Sequence, residues 1–252
     1  MDYWSDDARE QQLREAYSRF PGADYYAVLS WIHQILRPKT YIEIGVRHGA
    51  SLSAALPETI CVGVDPNPCI TFPLCPATHL FQMTSDEFFG NNFVDRCLEA
   101  RRCDLAFIDG SHLFEQVLRD FIHLERRAGR ASVIMLHDCI PLDDLTSARV
   151  RTTQFYSGDA WKVVAVLSDY RPDLRVGMVR TPPTGLCLVT SLNPTSNVLA
   201  HLFPEIVAAF QELQWSDYLK KTELLSRTIE NRRSAVEDYL EQQLQALRGA
   251  ET

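Results

Sequence analysis

Five short apolar runs, each carrying β-branched residues, punctuate the chain: TYIEIG at 40–45, ICVGVD at 60–65, THLFQM at 78–83, DLAFIDG at 104–110 and ASVIMLHD at 131–138. Most are nearly continuous in hydrophobicity, as strands covered on both faces must be. Stretches of helical spacing lie between them, over about 50–56, 91–101 and 113–127. The runs therefore predict an α/β fold built on a doubly wound, mostly parallel sheet. DLRVGMVR and GLCLVTSL, joined by TPPTG, add a final pair and bring the expected sheet to seven strands.

The flanks read as helical. Residues 1–39 form a lead-in of two amphipathic segments parted by PGA at 21–23, and the sheet domain spans 40–195. Residues 196–252 form a C-terminal helical extension. Its tail, from Ser216 to Arg248, lacks Gly and Pro, and Leu225, Ile229, Val236, Leu240, Leu244 and Leu247 give it an apolar stripe. One long helix is expected there, packed on its own subunit or joining two subunits of a homo-oligomer. The span 66–77 holds four prolines and reads as a loop, and GDAWKVVAVLSDY at 158–170 reads as a helix.

A formal charge of -8 opposes the basic field that phosphate backbones attract, so nucleic acid is not an expected partner. Seven cysteines with no CxxC pair favour neither a disulfide framework nor a thiolate zinc site. The first residues are acidic and polar, and no run is long and apolar enough for a membrane span. A cytoplasmic protein without a membrane partner is the expectation.

The first run breaks into EIGVRHGAS, with Glu43 ahead of Gly45 and Gly49 and with Ser51 behind. Glycines after a strand mark a sharp turn or a close approach. At the carboxyl edge of an open sheet such a turn faces the ligand crevice. Asp65 ends the second run about 20 residues past Glu43, where an acid that binds ribose hydroxyls is expected. The pattern lacks the G-x-G-x-x-G that brings backbone onto a pyrophosphate. It points to a nucleoside without phosphates. Arg47 and His48 fall inside the turn, where they meet a ligand carboxylate or simply solvent.

EIGVRHGAS, VGVDP, TSDEFF at 84–89, DLAFIDGSHLFEQVLRDF at 104–121 and VIMLHDCIP at 133–141 occur in the order found in class I S-adenosylmethionine-dependent methyltransferases. Over about 40–192 the chain resembles the methyltransferase family 24 group, related to small-molecule and sugar O-methyltransferases. The resemblance implies a Rossmann-like methyltransferase fold. It implies that Glu43, Gly45, Val46, Gly49 and Ser51 surround the methionine part of S-adenosylmethionine, whose carboxylate Arg47 or His48 in the turn could meet. It also implies that Asp65 holds the ribose and that Ser85 and Asp86 flank the adenine, with Asp109 closing the cofactor site.

A second constellation, Asp109, His112, His137 and Asp138, falls where the fourth and fifth strands end. Two chemistries fit it. Asp109 and Asp138 can hold Mg²⁺ that acidifies an acceptor hydroxyl. Alternatively His112 or His137 is the general base, its tautomer set by an aspartate. The metal-using relatives carry Asn or Asp after the second aspartate, where this chain has Cys139, a poor ligand for a hard cation. A buried His–Asp pair can also be purely structural. Trp161 reads as a stacking wall or a buried anchor, and Arg149 and Arg151 as contacts to an acidic substrate or as solvated side chains.

The reading is a methyltransferase acting on an oxygen of a small-molecule acceptor. Two rivals are a nicotinamide-dependent oxidoreductase and a non-catalytic subunit that binds cofactor and docks through the C-terminal helix.

Overall fold

The computed structural model describes residues 3–75, 77–91, 93–99, 101–220 and 227–249. Strands β1 (Thr40–Ile44), β2 (Ile60–Val64), β3 (Thr78–Phe81), β4 (Cys103–Ile108), β5 (Ala128–His137), β6 (Arg175–Val179), β7 (Leu186–Thr190) and β8 (Thr228–Ile229) form one sheet. Its order is β3-β2-β1-β4-β5-β7-β6-β8. The first five run parallel, β7 is antiparallel to both neighbours, and β8 runs parallel to β6. Successive strands step outward in one direction from β1 and in the other from β4. The switch point between these two strands opens a crevice at their carboxyl ends.

The alternation of side chains explains why the runs are apolar throughout. Ile42, Ile44, Ala106, Ile108, Ile134 and Leu136 enter one core, with Phe88, Phe114, Phe121 and Trp161. Tyr41, Leu105, Phe107, Val133 and Met135 enter the other, with Val28, Leu29 and Ile32. Each large side chain so buried contributes about 1.5–3 kcal/mol, so neither face tolerates a polar substitution.

The lead-in helices are α1 (Asp6–Arg19) and α2 (Tyr25–Leu36), parted at the predicted break. Ser5 and Asp24 cap them by accepting from the backbone N–H of Ala8 and Ala27. Helix α5 (Phe114–Glu125) follows β4.

Five expectations need correction. The sheet has eight strands, because β8 joins its β6 edge through Thr228 and Ile229. These two β-branched residues lie inside the expected tail helix, which instead consists of α9 (Trp215–Lys220) and α10 (Arg233–Gly249) around β8. Val236 and Leu240 of α10 are buried against the α2 side of the same chain, so that part of the stripe is used within the molecule. Leu225 lies outside the described residues, as does the Leu247 side chain.

The helix expected at 50–56 shrinks to a single 3₁₀ turn, Leu52–Ala54. Pro57 disfavours helical backbone at Leu56. The helix expected at 91–101 becomes α3 (Ser85–Gly90) and α4 (Phe93–Cys97), since the Thr84–Glu87 capping box starts the chain coiling earlier. Asn92 and Ala100 lie outside the described residues. Finally, α6 (Lys162–Tyr170) begins late because Gly158 and Asp159 are engaged elsewhere. The helices α7 (Val198–His201) and α8 (Phe203–Phe210) complete the C-terminal part. No described helix is long and apolar enough to cross a membrane.

Candidate active site

The turn after β1 is shaped first by its own chain. Gly45 has φ +89°, and a Cβ there would stand 2.2 Å from the Asp109 carbonyl oxygen. Only glycine lets β1 leave the sheet this close to the end of β4. Gly49 is also left-handed, with φ +83°. Arg47 takes φ +48° between them.

Four N–H groups of the turn are committed to protein acceptors. Gly45 donates to Val64 O at 2.8 Å and Gly49 to Val46 O at 2.8 Å. Val46 and Arg47 both donate to Asp65 Oδ2, at 2.9 and 2.7 Å. Asp65 Oδ1 accepts from Asn67 N at 2.7 Å. The expected ribose acid is thus also the brace of the turn. A carboxylate has about four acceptor positions, so lone-pair capacity remains for a hydroxyl.

Glu43 lies beneath the turn, fully buried. Its oxygens accept from Ser51 Oγ and Tyr41 Oη, each at 2.6 Å. Burial pushes its carboxyl up to about 8, against the pull of the two hydroxyl donors. Val46 is buried and packs over Gly63, whereas the His48 ring reaches Cys69 O at 3.2 Å.

Ser85 and Asp86 stand in the first turn of α3. Gln116 of α5 donates to Ser85 Oγ and Asp86 Oδ1, both at 3.1 Å, and to Asp120 Oδ1 at 3.2 Å. Burial drives Asp120 up to about 7. Neither Gln116 nor Asp120 was expected here from the sequence; both read as ordinary positions of an amphipathic helix.

Across the switch point, the four residues of the second constellation do converge. His112 Nδ1 lies 2.5 Å from Asp138 Oδ2. His137 Nδ1 lies 3.1 Å from Asp109 Oδ1 and 3.4 Å from Asp138 Oδ1. Thr184 donates to Asp138 Oδ1 at 2.6 Å. Asp138 itself sits at φ +59°, an uncommon conformation for a non-glycine residue and one found at functional sites.

Charge sets the proton positions. Burial opposes protonation of His112, but Asp138 beside it and Asp109 nearby outweigh that and hold the imidazole at about 9. His137 is likewise raised: burial works against its charge, and Asp109 and then Asp138 overcome it. Burial would raise Asp138, yet the two imidazoles and Thr184 hold it below the usual carboxylate range. At neutral pH the His112 ring is therefore doubly protonated, and the His137 ring is held toward its charged form.

Aromatic rings flank the pair. Tyr25 packs against His137 with tilted rings and centroids 4.1 Å apart, and Tyr156 meets His112 edge-on at 5.5 Å. Tyr25 and Thr184 come from α2 and from the β6–β7 connection, and no local signal marked either. One ligand atom each from Asp109, His137 and Asp138 lies within 4.8 Å of the others, so this trio can hold a metal ion. The Cys139 thiol points away, toward Leu136 O and His137 O. His137, rather than the residue after Asp138, completes the set. Two oxygens and one nitrogen suit a borderline cation as well as a hard one.

The loop after β5 is held by ion pairs. Asp159 accepts from Phe114 N at 2.8 Å, capping α5, and pairs with Lys162 at 3.0 Å and Arg149 at 3.2 Å. Arg149 also pairs with Glu115. These partners occupy Arg149, which was a candidate for an acidic substrate. Arg151 donates to Thr153 O and Gln154 O. Trp161 is a buried anchor, edge-on to Trp215 at 6.2 Å. A Cβ on Gly158 would collide with His112, at 2.3 Å from its carbonyl oxygen, so this loop also positions His112.

Residues 42–139 match the family of methyltransferase domains. Among solved structures, cofactor-bound Rv0187 from MTB superposes with TM-score 0.50 at 16% identity, over 74% of this chain and 90% of that one. The O-methyltransferase TomG from Streptomyces achromogenes, involved in tomaymycin synthesis and solved with S-adenosylmethionine, superposes with TM-score 0.50 at 13% identity, over 75% and 91%. The sequence matches no curated protein. The matched segment begins in β1 and ends just past Asp138, taking in both the glycine turn and the histidine–aspartate cluster. Over that segment the chain carries a methyltransferase domain, and its sheet has the fold of these neighbours.

Proposed function

We propose that the protein transfers a methyl group from S-adenosylmethionine to an oxygen of a small molecule such as a sugar or a secondary metabolite. The observation that carries this reading is the pairing, across one switch point, of a phosphate-averse turn with a base dyad. The N–H groups of Gly45, Val46, Arg47 and Gly49 are all spent on protein acceptors. They have nothing left for a pyrophosphate, which weakens the oxidoreductase alternative. Asp65 retains lone pairs for ribose hydroxyls, and Ser85 and Asp86 lie beyond it for the base. The cofactor supplies an already activated methyl group on a sulfonium centre.

The chain's own residues then bind, orient and deprotonate. His112, fixed through Nδ1 by Asp138, directs Nε2 to the acceptor hydroxyl as general base. About a third of its side chain is exposed, whereas Asp138 and His137 are buried. Because His112 holds its proton up to about 9, it must first lose that proton, and kcat/KM climbs with pH toward that value. Asp138 and Asp109 supply compensating negative charge, whereas His137 opposes its protonation. A second reading is favoured by one observation, the close approach of Asp109, His137 and Asp138. These residues would hold a divalent cation that stabilises the acceptor alkoxide.

The test is release of S-adenosylhomocysteine with a panel of sugars and phenols, with and without EDTA. Turnover that survives EDTA and vanishes in His112→Gln supports the base. Turnover restored only by added divalent metal supports the cation. Normal turnover in His112→Gln without metal contradicts both.

A further inference from the structure

A cavity of about 110 Å³ lies away from the glycine turn, lined by Phe20, Ile140, Met178, Arg180 and Trp215 together with Arg19. Its walls are mostly apolar, with Leu219 besides, and carry two guanidinium groups and the Thr228 hydroxyl. Both stack on the same buried ring: Arg19 stands 5.6 Å and Arg180 5.4 Å from the Phe20 centroid. Among the described residues no carboxylate pairs with either arginine, although the chain carries 33 acidic residues and a net charge of -8. Arg19 is steadied by the Leu142 carbonyl. Two exposed cations sharing one ring repel each other, and an anion placed between them removes that cost.

The position is also informative. Val179 pairs with Leu186, and Leu186 pairs with His137, so Arg180 leaves the same sheet edge two strands over from the histidine cluster. Two strand spacings amount to about 10 Å. Ile140, on the cavity wall, is two residues past Asp138. We infer that this cavity binds an apolar group ending in an anion, a carboxylate or a phosphate ester, and that it holds the far end of an acceptor whose hydroxyl lies at His112. The second half of this inference rests on the methyltransferase reading; the first does not.

The test uses the cofactor-free protein and three probes, benzoate, phenyl phosphate and neutral benzamide, followed by ligand-observed NMR. Both anions are expected to bind about tenfold tighter than benzamide, as charge-assisted hydrogen bonds require, and added salt should narrow the gap. Tighter phenyl phosphate marks the natural group as a phosphate ester, and tighter benzoate marks it as a carboxylate. Arg180→Gln, at an exposed residue, should weaken both anions about tenfold, leave benzamide unchanged and leave S-adenosylmethionine affinity intact. Equal binding of benzoate and benzamide, unchanged anion binding in Arg180→Gln, or no binding by any probe overturns the inference. Failure of S-adenosylmethionine to bind the wild-type chain would instead count against the methyltransferase reading.

Discussion

Two polar regions face each other across the β1–β4 switch point, and they are built on opposite principles. In the glycine turn the carboxylates take neutral or backbone partners: Glu43 takes two hydroxyls, and Asp65 takes three backbone N–H groups. In the cluster at the ends of β4 and β5, two carboxylates and two imidazoles crowd within hydrogen-bonding distance, and their protonation depends on one another. The first arrangement holds a shape, and the second holds protons. A uniformly bonded turn can receive a ligand without moving, whereas a coupled charge cluster can change its charge when a substrate arrives.

That contrast can be broken most sharply at His112. Replacing it with Gln should cost about 10²–10⁴-fold in kcat while leaving cofactor affinity near wild type, since the turn does not depend on the ring. A loss confined to KM would show that the ring only helps to bind the acceptor.

Gly45→Ala attacks the other region. A methyl group 2.2 Å from the Asp109 carbonyl oxygen, at a positive φ, cannot be accommodated without separating β1 from β4. A destabilisation of roughly 2–4 kcal/mol is expected from strain and overpacking together. Denaturant unfolding measures it; wild-type stability would mean that the turn is looser than described.

Thr184→Val removes one buried donor from Asp138 and should have a smaller effect, about 1–2 kcal/mol, shared between stability and turnover. The effect of Glu43→Gln depends on pH, near zero in acid and growing as pH rises. The raised carboxyl is protonated in the folded chain and ionised when unfolded, so its contribution is complete at pH below its ordinary value. It is lost as pH rises through about 8. The Gln variant should match wild type near pH 5 and become the more stable of the two above pH 8. Thermal unfolding at both pH values checks this, and a variant destabilised at every pH would show that Glu43 is ionised in place.

The sequence displays the sheet because burial on both faces forces continuous apolar runs, a signal that survives without neighbours. It displays the turn and the strand-tip acids for a similar reason: topology places the ends of β1, β2, β4 and β5 on one edge. What stays hidden depends on distant packing. Tyr25 reads as one more apolar position of α2, and nothing near Thr184 announces a bond to Asp138. Arg149 looks free until Glu115 and Asp159, from α5 and the loop before α6, are brought to it. β8 spans two residues, too short for any periodicity, and its pairing with β6 overrides the helical composition around it.

The central claim is that the crevice accepts a sulfonium nucleoside and rejects a pyrophosphate. Calorimetry at neutral pH, titrating S-adenosylmethionine and NADH separately into the purified chain, tests it most directly. One molecule of S-adenosylmethionine should bind per chain and NADH should give no measurable heat. Comparable binding of NADH, or none of S-adenosylmethionine, would contradict the account.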